Sequence, residues 1–158
     1  MRLAALTLLV FGLCATSAVA SAKSSSLLIE NGRGTIAIEG KRVLVGRIEK
    51  GSLEIIDLTP SDQWSPYVNG VPRGKVTWIR GRKTAINFRV AGGRYRLVAH
   101  GEGISISARG SGECTVDGEP DPVGDAGSYA VGDNEPQQIP DEPLRLSFGA
   151  PDAAPSAP

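Results

Sequence analysis

Histidine is almost missing from this 158-residue chain, which has His100 alone. Hydrolysis by an activated serine needs a base to orient and deprotonate the nucleophile, and that base is usually histidine. No G-x-S-x-G elbow is present either, and Gly110-Ser111-Gly112 lacks the flanking pattern. His100 therefore reads as an exposed, unpaired loop residue. Cysteine is equally scarce, with Cys14 and Cys114 the only two. Structural zinc takes four ligands drawn mainly from Cys and His, and the chain beyond residue 22 offers one of each. No G-x-x-x-x-G-K-[ST] phosphate loop occurs, although glycine is abundant at 20 residues. Aromatics make up 5% of the chain, too few for the deep cleft in which paired carboxylates cleave glycosides. Long helical stripes are missing as well: apolar residues nowhere repeat at the 3.6-residue period.

The first residues are informative. Arg2 precedes the apolar run LAALTLLVFGL, and small residues follow at Ala18-Val19-Ala20 and Ala20-Ser21-Ala22. That layout is a secretory signal peptide over residues 1–22, and its apolar run is too short to span a bilayer. Export to the periplasm or the exterior is the expectation, with no transmembrane segment in the mature chain. Lipid anchoring at Cys14 is the alternative, against which stand Phe11 and Leu13 where Leu and a small residue belong. Cleavage leaves Cys114 without an internal partner, so it reads as a half-buried small residue of a strand.

What remains is strand-forming. Ile86, Phe88 and Val90 alternate with Asn87 and Arg89, the two-residue period of a strand with one buried face. Gly92-Gly93 then reads as a two-residue hairpin loop that brings Val90 opposite Tyr95 and Phe88 opposite Leu97. Ile104, Ile106 and Ala108 continue the alternation after a loop at residues 100–103, giving a three-stranded meander whose inward face holds Phe88, Val90, Tyr95, Leu97, Ile104 and Ile106. Upstream, Gly34, Gly40, Gly46 and Gly51 interrupt short alternations too closely for helices. The pattern predicts an all-β domain over residues 23–149, an antiparallel sandwich or barrel of short strands, with a faint repeat at residues 32–58 that raises a short β-solenoid as the alternative. Residues 150–158, Pro- and Ala-rich, read as a disordered tail.

The segments GRGTIAIEG, GSLEIIDL, FRVAGGRYRL and GEGISISARGSG resemble the glycine-spaced strands of small exported bacterial all-β proteins with no assigned activity. The resemblance covers residues 32–131. It implies an exported β domain and carries no functional residue with it.

Charge is balanced in total and polarised along the chain. Residues 23–109 hold 15 basic against 7 acidic residues, a net of +8, while residues 110–158 hold Arg145 against 10 acids, a net of −9. Export and the near-zero total argue against nucleic acid as a partner. Asp117, Glu119, Asp121 and Asp125 share one loop, yet Pro122 and Ser128 occupy the places of the glycine and the bidentate acid of an EF-hand, so a solvated acidic loop is the reading and no metal is assigned. Arg89, Arg94 and Arg96 form the candidate anion-binding set. Either the acidic loop neutralises them internally, or they hold an anionic envelope polymer or lipid head group. Trp64 and Tyr67 are candidate aromatic contacts for a sugar or protein partner, or else cap the fold. The reading is a monomeric exported binding or structural module without cofactor or catalytic residue; the rival is a secreted hydrolase acting on a cell-surface polymer.

Overall fold

The computed structural model describes residues 25–60, 66–69, 78–79 and 84–149. They form an all-β fold of seven strands in one antiparallel sheet that is folded over its core and not closed into a barrel, in keeping with a sandwich. The antiparallel pairing throughout these residues leaves no room for a solenoid coil. Two strands dominate: β1 (Ser26–Asp57) and β4 (Ile86–Gly118), of 32 and 33 residues. The others are β2 (Tyr67–Val68), β3 (Trp78–Ile79), β5 (Ser128–Val131), β6 (Gln137–Gln138) and β7 (Leu144–Phe148). The expected set of short strands is thus replaced by two long ones that bend.

The bending is compulsory. At about 3.3 Å per residue, 32 straight residues would run for roughly 100 Å, several times the size of a domain this small. The ladder shows where the chain turns. Crossing it at Ile106 gives the order β2, β4 (86–91), β1 (43–48), β4 (104–109), β1 (26–29), β5, β6, here called the first wall. Crossing at Leu97 gives β7, β4 (112–116), β1 (34–41), β4 (94–101), β1 (51–57), β3, the second wall. Each long strand crosses between the walls three times, and its corners are rich in glycine. Strands that change sheets at bulges are how crossed sandwiches make their corners.

The inward positions record these corners. In β4 the buried residues are Ile86, Phe88 and Val90, then Tyr95, Leu97 and Ala99, then Ile104, Ile106, Ala108, Cys114 and Val116. Parity changes from even to odd at Gly92-Gly93 and back at residues 101–103. Gly92-Gly93 is therefore not a hairpin loop. Arg94 pairs with Lys41 and Ala91 with Val43, so the two glycines oppose Arg42 alone. That is a bulge, and φ values of +76° and +61° at its two glycines accommodate the extra residue. No segment of β4 pairs with another segment of β4, so the expected meander is absent; β1 lies between them. The six predicted inward residues are nevertheless all buried, because a bulge and a two-residue turn shift parity alike.

The faint repeat has a structural counterpart. Residues 95–101 of β4 lie between residues 34–40 and 51–57 of β1, so Gly34 and Gly51 both pair with Gly101, and Ile36 and Leu53 both pair with Ala99. One strand thus carries the same short motif to both edges of its partner. Apolar side chains from both walls form one core that includes Leu27, Ile29, Ile36, Ile38, Ile48, Leu53, Leu97 and Phe148. No polar or charged residue is buried among the described residues.

Candidate functional site: the outer faces of the two walls

With an apolar interior, chemistry in the described residues falls to the outer faces. On the second wall the guanidinium groups of Arg94 and Arg96 converge on Glu39. Arg94 donates to one carboxylate oxygen at 2.5 Å, and Arg96 donates to the other through Nη2 at 2.9 Å and Nε at 3.1 Å. Glu39 and Arg96 are direct ladder partners, which places their side chains on one face. The hydrogen bond from Arg96, aided by the charges of both arginines, holds the Glu39 carboxyl below its ordinary range against the opposing effect of burial. Glu113 lies across the ladder on the far side of Glu39, an unfavourable like-charge placement that Arg145 relieves by donating to Glu113. Each of these five charges thus has an opposite partner, with Glu39 shared by two arginines.

The expected neutralisation of these arginines by the acidic loop is corrected as a result. Arg94 and Arg96 are matched by Glu39, 55 and 57 residues away in sequence, and the acidic loop lies elsewhere. That loop packs on the corner at residues 31–34, where Arg33 N donates to Ala126 O and Glu119 N donates to Arg33 O. Asp117 belongs to β4 rather than to the loop, and two of the other acids are turned to backbone donors: Asp121 accepts from the amides of Val123 and Asp125, and Asp125 from the amide of Gly127. Those amide bonds, led by that of Asp125, hold Asp121 below the ordinary carboxylate range.

His100 lies in β4 rather than in a loop, and it has a partner, Thr35 Oγ1, at 3.0 Å from its Nδ1. Glu119 lies 4.0 Å away, but from the same Nδ1. A triad needs the nucleophile on one ring nitrogen and the acid on the other, so this trio does not form the relay. The carboxylates of Glu39 and Glu113, across the ladder from each other, are each engaged by arginine, which does not suit either to be the protonated acid of a glycoside cleaver. Cys114 is buried, and burial pushes its thiol up to about 12.

The first wall differs. Along one line of the ladder, Tyr67 pairs with Arg89, Arg89 with Val45, Val45 with Ser107, and Ser107 with Leu28. Directly opposed residues share a face, so all five point outward together. Two residues along, Val43 pairs with Arg109 and Arg109 with Ser26. Tyr67 is 51% exposed, Val45 45%, Leu28 41% and Val43 38%. A shallow groove of about 580 Å³ opens on this face beside Leu28, Val45 and Ser107. Among the described residues no carboxylate pairs with Arg89 or Arg109, whereas Arg47 approaches Glu49 at 3.8 Å.

The candidate arginines are therefore divided: Arg89 stands on the first wall, and Arg94 and Arg96 stand on the second. Tyr67 adjoins Arg89, and Trp64 lies outside the described residues. Sequence reasoning missed Arg109, Leu28, Val43 and Val45. The available signal was Val43-Leu44-Val45, three consecutive apolar residues in a strand, which must leave apolar side chains on both faces. Among the described residues no helix is long and apolar enough to cross a membrane. Compared with known proteins, the chain matches no family model, no curated protein and no solved structure.

Proposed function

We propose that this chain is an exported, non-enzymatic β domain that acts at or outside the cell envelope as a binding module, with the outer face of the first wall as its contact surface. The observation that carries the reading is the placement of Leu28, Val43, Val45 and Tyr67, each more than a third exposed, on one face with Arg89 and Arg109. Scattered apolar residues on a surface need no explanation, but a contiguous set framed by arginines is the composition of a contact surface. Export is supported by the signal-like residues 1–22.

The test uses the full chain produced in an exporting bacterial host. Intact mass should place the mature start at Ser21 or Lys23, and the mature protein should sediment with isolated cell envelopes. Val45→Ser combined with Tyr67→Ser should release much of it. Retention of an unprocessed chain inside the cell, or a processed chain that ignores the envelopes, would overturn the reading.

A further inference from the structure

We propose that the outer face of the first wall docks onto an anionic lipid surface, an inference that rests on the binding-module reading and names its partner. The two walls differ in how their arginines are partnered, and the second wall also carries one exposed apolar side chain, Ile56, across the ladder from Arg96. On the second wall Glu39 is matched by Arg94 and Arg96, and Glu113 by Arg145. On the first, Arg89 and Arg109 lack a described carboxylate, and each sits across the ladder from a half-exposed valine: Arg89 beside Val45, Arg109 beside Val43. A partner for that face needs negative charge and apolar substance at spacings of one strand.

A bilayer surface supplies both. Phosphate groups take the planar fork of a guanidinium in bidentate contact. Val43, Val45 and Leu28 enter the boundary between head groups and acyl chains, and Tyr67 takes the position that interfacial tyrosines favour, ring inward and hydroxyl outward. An anionic polysaccharide would satisfy the arginines and leave the three aliphatic side chains against polar sugar. A small soluble anion would lack enclosure, because the groove on this face is shallow. Among the described residues, Glu30 and Glu49 are the acids at the corners of this face; Glu30 lines the groove beside Leu28, and neither pairs with Arg89 or Arg109.

The mature protein is sedimented with phosphatidylcholine vesicles and with vesicles that also contain phosphatidylglycerol. Binding to the anionic vesicles alone, weakened by salt, is expected. A basic residue near an anionic surface contributes about a fivefold gain in partitioning, so Arg89→Gln with Arg109→Gln should lower it by roughly 30-fold. Val45→Ser should lower it further, while Arg145→Gln on the second wall should change it less than about twofold. These positions are exposed, and thermal unfolding of each variant confirms that the fold persists. Binding to polygalacturonate beads but not to vesicles would overturn the lipid assignment and leave the module reading standing. A first-wall dimer in sedimentation, dissociated by Val45→Glu, would also overturn it, as would vesicle binding indifferent to Arg89 and Arg109. Failure to bind vesicles, beads and isolated envelopes alike would remove both readings together.

Discussion

Replacing Gly101 by alanine tests the corner geometry on which both walls depend. Gly101 and Gly51 face each other across the ladder where both long strands turn, with φ of +141° and +146°. A Cβ on Gly101 would be driven into the Lys50 carbonyl oxygen and would lie 2.7 Å from the Gly51 Cα. These are backbone atoms held in a ladder, so no side chain can swing aside to relieve them. A non-glycine residue in such a conformation costs about 1–3 kcal/mol. Forcing the opposing backbone apart adds roughly 1–3 kcal/mol, the usual range for overpacking. Gly101→Ala should therefore destabilise by about 2–6 kcal/mol. Gly124, with φ of +87° and nothing within 4 Å of its would-be Cβ, separates the two contributions. Gly124→Ala carries the conformational penalty alone and should cost about 1–3 kcal/mol, at least 1 kcal/mol less than Gly101→Ala. Urea unfolding of the two variants and the parent measures the difference. Equal losses, or a Gly101→Ala variant as stable as the parent, would refute the corner as described.

Phe88 is buried against Gly46 with its ring where a side chain at residue 46 would lie, so Phe88→Ala should cost about 3–5 kcal/mol in the same assay. Because the Glu39 carboxyl is held low in the folded state, its contribution is fully present above the ordinary value of 4.5 and is lost as pH falls through the lowered one. Glu39→Gln should accordingly flatten the acid limb of the stability profile, and an unchanged limb would remove the Arg94–Glu39–Arg96 cluster as its cause. The Cys114 thiol, pushed up to about 12 by burial, should resist a thiol reagent at mildly alkaline pH until the protein is unfolded. Rapid labelling of the native protein would contradict its place in the core.

The core was legible in the sequence and the topology was not, for one physical reason. Alternation reports which face a residue takes, and Phe88, Val90, Tyr95, Leu97, Ile104 and Ile106 are buried as their spacing predicts. Whether Gly92-Gly93 turns the chain back or merely bulges it is decided by the neighbouring strand, and that strand is residues 40–43, about 50 positions upstream. A local pattern holds no record of it. The arginines illustrate the same limit. Arg94 and Arg96 have their partner in Glu39, which only the long-range ladder brings near, whereas the acidic loop close behind them in sequence folds toward Arg33 instead. The contact face was partly visible: Tyr67 and Arg89 were singled out separately, and their adjacency came from the β2–β4 pairing. Arg109 and Val43 became neighbours only through the register of the two long strands.

In the proposed docking the first wall, and not the second, meets the partner. Amide NMR of the mature protein with anionic bilayer discs carrying a paramagnetic head-group label measures this residue by residue. Strong broadening is expected at Leu28, Val43, Val45, Tyr67, Arg89 and Arg109, with Glu39, Arg96, Glu113 and Arg145 spared. Broadening centred on the second wall, or spread evenly over both, would contradict it.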